Sequence, residues 1–159
     1  MRLTALLLCL FLLIPTFSAA GEDVKASLLV GLWTAHVNPS SDTNESNELI
    51  GVGYRDYTVA RFKNSYHDET FFAGKRFSTR RFGETKYAGW FCQLNLYAGI
   101  LYGYDDHIPN IKKFTIGPLP TIGLGYKNTA FETLFFPSPS GGVFMGVLSL
   151  RFYGMKPPQ

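Results

Sequence analysis

Three histidines are the side chains in this sequence whose ordinary pKa lies near neutral pH, and each keeps different company. His36 closes the run Leu32-Trp33-Thr34-Ala35-His36. A neutral imidazole held near a hydroxyl can make a serine nucleophilic, or can activate a bound hydroxyl directly. The simpler alternative is a polar residue at a strand end. Ser65, at the end of Phe62-Lys63-Asn64-Ser65, is a serine of the sort that commonly closes a strand. His67 and Asp68 follow it closely and read as solvated turn residues. His107 stands with Asp105 and Asp106, a run able to ligate a metal, but no second ligand pair is spaced to complete a site, so no metal is expected. Cys92 reads as a small apolar strand residue. Gly123-Leu124-Gly125 is no phosphate loop, because no helix follows it. Nothing in these patterns calls for a cofactor.

The elements that must position these groups follow from composition. The chain has 159 residues, 46% hydrophobic and 16% aromatic, with only 17% charged, so it fits one aromatic-rich domain and not a disordered polyelectrolyte. A formal charge of +3, with Lys and Arg scattered among carboxylates, excludes the basic footprint of a nucleic-acid binder. Met1-Arg2, the apolar run Leu3 to Ile14, and Ser18-Ala19-Ala20 before Gly21 read as a signal peptide over residues 1–20. The run is too short to span a bilayer as a helix. Removing it leaves 14 basic against 12 acidic residues, or +2, and Cys92 as the single cysteine, so no intrachain disulfide can form. The expectation is an exported protein with one domain over residues 21–159, ending in a short tail, 153–159.

Beyond a turn of helix around Glu22 to Ser27, the mature sequence carries short aromatic and β-branched runs separated by turn residues. The runs cover 28–36, 49–55, 58–65, 70–77, 87–102, 114–125, 129–136 and 143–152. Eight such runs, with tight connections such as Arg55-Asp56-Tyr57 and Lys127-Asn128 and long polar ones such as 38–48 and 104–113, predict an all-β, eight-stranded antiparallel outer-membrane barrel. An even count closes the sheet without an edge in lipid. The last run alternates most plainly: Phe144, Gly146, Leu148, Leu150 and Phe152 on one face, Met145, Val147, Ser149 and Arg151 on the other. If the aromatic face meets lipid, Arg151 points inward. Counting strands from a periplasmic N-terminus sends the first and third outward, so His36, Asn64 and Ser65 should meet at the cell-surface end. A closed barrel of this size needs no partner, so a monomer is expected.

Proline cannot donate to a β-ladder. Gly117-Pro118-Leu119-Pro120 should therefore interrupt the sixth strand, and Pro137-Ser138-Pro139 end the seventh. A gap at Pro118 and Pro120 could admit a lipid sideways.

Taken in order, these pieces resemble the outer-membrane lipid A palmitoyltransferase (PagP) family through most of the mature chain. Leu32-Trp33-Thr34-Ala35-His36 resembles its tryptophan and catalytic histidine on the first strand. Phe62-Lys63-Asn64-Ser65 with Ala73-Gly74 resembles its Phe-Lys-Asp-Ser segment and alanine-glycine pair. Pro118-Leu119-Pro120, Gly125-Tyr126 and the ending Arg151-Phe152 are similar too. The resemblance implies a barrel whose interior takes one acyl chain and, with no cofactor, transfer of palmitate from a phospholipid donor to the lipid A of lipopolysaccharide. It implies His36 as general base, Ser65 as its polar partner, and Asn64 at the position of the family's aspartate, with Gly74 and Arg76 in the acyl pocket. The sequence departs from the family at Asn64, which carries no charge; Asp68 is an alternative carboxylate. It departs again at Arg76, where the family's acyl ruler is a glycine and an arginine would shorten the pocket. The family's amphipathic N-terminal helix is reduced to residues 21–27.

Two other readings use the same residues. One is a non-enzymatic outer-membrane barrel whose long loops act in adhesion or surface interaction, related to the family but without its activity. The other is a soluble periplasmic lipid-binding barrel.

Overall fold

The structure, a computed structural model, describes residues 24–37, 43–79, 81–83, 89–104, 111–136 and 142–153. Eight strands run in chain order: β1 (Val24–His36), β2 (Ile50–Tyr54), β3 (Tyr57–Lys63), β4 (Glu69–Ser78), β5 (Trp90–Tyr102), β6 (Phe114–Tyr126), β7 (Thr129–Phe136) and β8 (Val143–Tyr153). Each pairs antiparallel with its sequence neighbours, and β8 returns to β1, closing the barrel. The expected fold class and strand count are what the molecule has. Most boundaries move by one to four residues, the third strand ending at Lys63 so that Asn64 and Ser65 fall in the turn, and two readings change. β1 begins at Val24, so residues 24–27 are strand and not a turn of helix. β6 runs unbroken through Pro118 and Pro120, in register with β5 from Phe114 opposite Tyr102 to Tyr126 opposite Trp90.

The prolines nevertheless open one side of β6. Its ladder with β7 holds only from Tyr126 opposite Thr129 to Thr121 opposite Leu134. β7 itself continues to Phe136, paired there with Val143 of β8. Pro118 and Pro120 have the same parity along the strand, so their missing N–H groups would both point to one neighbour. The β5 ladder is complete, so that neighbour is β7. Pro137 and Pro139 lie outside the described residues.

The barrel is apolar outside. Val30, Val52, Val59, Phe71, Ile100, Ile122, Phe131 and Phe144 are exposed on the outer face, at least one from every strand. So continuous an apolar surface far exceeds what a water-soluble monomer shows. Inside, the lumen has two halves. Toward the end where β1 and β3 finish, Leu29, Phe62, Phe72, Leu101, Leu119, Met145 and Val147 form an apolar cluster. Toward the other end the lumen is polar. Arg151, inward as its alternation requires, makes a 2.8 Å ion pair with Glu132, and Glu132 also accepts hydrogen bonds from Asn95, Tyr97 and Thr121. Met145, Val147, Ser149 and Arg151 are all buried, as the period of two predicts.

β4 and β5 approach closely where Gly74 faces Gly99. A Cβ on Gly99 would lie 2.3 Å from the Ala73 carbonyl oxygen and 2.5 Å from the Gly74 Cα, both immovable backbone. Gly99→Ala should therefore lower stability by about 1–3 kcal/mol, read as a lower urea midpoint. Gly117→Ala, with nothing within 4 Å of its added methyl, should leave the midpoint unchanged.

Candidate functional site

The placement of His36 depends on an irregularity in β1. Pairing with β8 jumps between Gly31 (opposite Val147) and Trp33 (opposite Gly146), so β1 carries one extra residue there. Below the bulge Ser27 and Leu29 are buried inward; above it Thr34 is buried and His36 half-buried, while Leu32 and Trp33 both face out. Without the extra residue His36 would point outward.

Asn47 holds the bulge open. Its side chain, 2% exposed, donates through Nδ2 to the Trp33 carbonyl at 2.8 Å and accepts at Oδ1 from the Leu49 N–H at 3.0 Å. A Cβ on Gly31 would stand 1.7 Å from that Oδ1, so this position takes only glycine while Asn47 is in place. The segment from Asn44 to Leu49 fills the space between the upper parts of β1 and β3 that short β2 leaves open. The Gly31 and Thr34 N–H groups donate to the Leu49 and Glu45 carbonyls, and the Lys63 N–H donates to the Asn47 carbonyl. Glu45 is thereby anchored beside His36.

Across the mouth of the barrel, Ser65 sits in the turn between β3 and β4. His36 Nε2 and Ser65 Oγ are 2.8 Å apart, although the residues are 29 positions apart in sequence. The convergence expected from strand counting is thus present as a hydrogen bond. Asn64 does not join it. Buried at 2% exposure, its Oδ1 accepts from the Tyr66 and Asp68 N–H groups at 2.8 and 3.1 Å, and its Nδ2 donates to the Gly103 carbonyl at 3.3 Å. Asn44 Nδ2 donates in turn to the Asn64 carbonyl at 3.0 Å. Asn64 therefore shapes the turn that presents Ser65, acting through backbone and not through charge. His67 is an exposed turn residue with positive φ, 67°. Asp68 is exposed. The carboxylate that His36 feels is that of Glu45, which the sequence reading missed.

His36 is the last residue of β1, on the rim. Its partial burial lowers the imidazole pKa below the ordinary value, and Glu45 raises it part of the way back. The ring is therefore neutral at pH 7. With Nδ1 protonated, the Ser65 hydroxyl donates to a bare Nε2; Nδ1 itself is buried with no hydrogen-bond partner among the described residues. A Ser–His dyad without a carboxylate on the far nitrogen can take a proton from a hydroxyl and return it, but lacks the group that stabilises an imidazolium in a triad.

Below the dyad the apolar half of the lumen encloses a cavity of about 90 Å³, lined at its mouth by Ser65, Thr34 and Tyr66 and lower down by Phe62, Leu101 and Met145. By the same measure one water needs about 10–15 Å³, so the cavity has room for several waters or for part of an apolar chain. Thr34 Oγ1 lines it, buried and without a hydrogen-bond partner among the described residues. Tyr104 stacks on Phe136 at 6.2 Å to form one wall. Leu119 and Phe136, at the place where β6 and β7 part, are also lining residues, so the opening beside Pro118 and Pro120 borders the cavity. The floor carries Tyr97, Thr121 and Glu132 of the polar network. From Lys63 to Thr58 the cavity follows β3 for six residues, about 17 Å along the strand and roughly a dozen methylenes of an extended chain.

Arg76 and Gly74 do not line the cavity. Arg76 is buried on the rung opposite Tyr97, level with the floor, where its charge bears on Glu132. Gly74 lies beneath the Phe72 ring, whose Cζ would be 2.5 Å from an added Cβ. Cys92 is half-buried on β5. Asp105, Asp106 and His107 lie outside the described residues, and among those described no cluster of three or more His, Cys, Asp and Glu could hold a metal. No protein-family model matches this sequence, and no curated protein is significantly similar to it.

Proposed function

We propose that this protein is an outer-membrane acyltransferase that moves a fatty acyl chain from a phospholipid to lipid A. The observation that carries the reading is the His36–Ser65 hydrogen bond at the mouth of an apolar, chain-shaped cavity. The apolar outer face of all eight strands supports a barrel seated in lipid, and the parting of β6 and β7 beside Pro118 and Pro120 supports lateral access for the donor. The donor's acyl chain fills the cavity with its ester at the dyad. His36 takes the proton from the attacking hydroxyl, of Ser65 or of the acceptor held in its place, as that oxygen bonds to the ester carbon. The Thr34 hydroxyl donates to the carbonyl oxygen as it becomes negative. Collapse breaks the original ester bond, and the proton held by His36 goes to the departing lysophospholipid oxygen. Where Ser65 was the attacking group, a lipid A hydroxyl then attacks the acyl-Ser65 ester, His36 takes its proton, and the Ser65 C–O bond breaks with that proton returned to Ser65 Oγ. The polar floor favours chains shorter than palmitate.

Mass spectrometry of lipid A from cells carrying the folded, membrane-inserted protein tests the reading. One added acyl chain, of about 12 to 14 carbons by the cavity length, supports it; unmodified lipid A overturns it. The pH dependence is a second check. The base works unprotonated, so kcat/KM should be flat through pH 7 and fall about tenfold per unit only below the lowered His36 pKa, under pH 6.5. Glu45→Gln removes the influence that raises that pKa, so it should move the acid limb to lower pH.

Two observations favour a second reading, a non-enzymatic barrel. His36 Nδ1 has no orienting carboxylate among the described residues, and Asn64 is wholly committed to its turn. On that reading His36→Ala changes nothing, while shortening the surface loops removes the phenotype.

A further inference from the structure

The two ends of the barrel carry their charge differently. At the dyad end Arg61 pairs with Glu69 and Lys63 with Glu48 at 2.8 Å, while Lys112 has no ion-pair partner among the described residues. Toward the end of the tight turns, Lys25, Arg55, Lys75 and Lys127 have no ion-pair partner among the described residues. The described residues of that turn end include one carboxylate, Asp56.

Three of these four cations are held against aromatic rings. Arg55 lies over Tyr54 at 5.6 Å, Lys127 over Tyr126 at 5.1 Å, and Lys75 between Tyr57 and Phe77 at 5.8 and 5.4 Å. Tyr54, Tyr57, Trp90 and Phe152 are all more than half exposed beside them. Aromatic rings of this kind mark the level of lipid headgroups. Arg55 and Lys127 also occupy turn positions with φ of 54° and 50°, where glycine or asparagine would be less strained.

Resting on the membrane reading, we propose that the turn end is a binding collar for anionic phospholipids, with Lys25, Arg55, Lys75 and Lys127 contacting the headgroup phosphates. The rings set the depth of the barrel, and the unpaired cations select the lipid class around that rim.

The chain's two tryptophans provide the test, because Trp90 lies on the collar and Trp33 on the dyad half. Trp33→Phe leaves Trp90 as the only reporter, and Trp90→Phe leaves Trp33. Each is refolded into phosphatidylcholine vesicles containing an equal fraction of brominated phosphatidylglycerol or brominated phosphatidylcholine, with folding checked by circular dichroism. Trp90 should report about fourfold enrichment of phosphatidylglycerol, falling in 0.5 M salt, whereas Trp33 should report none. Replacing all four cations by Gln should bring Trp90 to parity, and exchanging Lys and Arg among them should keep the enrichment. Equal quenching of Trp90 by the two lipids in the folded protein overturns the collar, as does enrichment that survives the Gln variant. A folded barrel in which neither tryptophan is quenched by either lipid overturns the membrane reading itself.

Discussion

Replacing His36 by alanine should reduce acyl transfer by about 10²–10⁴-fold while leaving the urea midpoint of the barrel unchanged. The side chain is half-buried on the rim, and its one hydrogen bond among the described residues is to Ser65, which can turn to water when the imidazole is gone. Its loss therefore removes the proton acceptor without opening the core. Ser65→Ala separates the two chemical routes. If Ser65 is the nucleophile, Ser65→Ala falls as far as His36→Ala, and the double variant falls no further, because the pair acts as a unit. If Ser65 only holds the acceptor in place, the loss is about tenfold and adds to that of His36→Ala. Transfer rates of the four proteins in one detergent-solubilised assay decide between the routes. Full activity in His36→Ala would remove the dyad from the mechanism.

The largest effect on stability should come from Arg151→Met. The Arg151–Glu132 pair is 2% exposed on both sides, and Glu132 is also bound by Asn95, Tyr97 and Thr121. Removing the guanidinium leaves the buried carboxylate without its ion-pair partner, with only the charge of Arg76 still acting on it, at a cost of about 3–5 kcal/mol. Replacing both partners, Glu132→Leu with Arg151→Met, should recover most of that loss, because the desolvated charges go together. Urea unfolding of the two single variants and the double one measures the coupling. A double variant as unstable as the sum of the singles would show that the network matters through its neutral members. The double variant also lines the cavity floor with Leu in place of a carboxylate, so it should accept a longer acyl chain without a change at the dyad.

Much of this architecture was legible in the sequence because β-strands write their two faces as a period of two. The eight runs, the tight turns and the inward Arg151 all follow from that rule, and so does the common end of His36 and Ser65. What escaped it are features set by two segments at once. The bulge at Gly31 has no local signature; it exists because Asn47, from another segment, occupies the space a side chain at position 31 would need. Glu45 reaches His36 through the same segment, which sequence periodicity shows only as polar loop. Pro118 and Pro120 announce missing donors, but a single strand cannot say which neighbour loses them. Register with β5 and β7 does, and it turns an interrupted strand into a continuous one with a single open side. Asn64 looked like a weakened catalytic position by analogy with a charged residue, whereas its bonds are those of a turn.

The extra residue in β1 has a consequence for how such a barrel changes over generations. The proposed chemistry depends on the phase of one strand, and phase is a binary property. Losing a single codon between Gly31 and Trp33 would restore the regular ladder with β8, a local gain in pairing, and would rotate Thr34 and His36 from the lumen to the lipid face. The fold, the apolar exterior and every other strand would be untouched, yet the His36–Ser65 hydrogen bond would be lost. Active and silent barrels of this design are thus one deletion apart, and the insertion that restores function costs only a bulge. Asn47 is the record of which phase a given chain is in: a side chain that fits only beside a bulged Gly31 has no place in a regular strand.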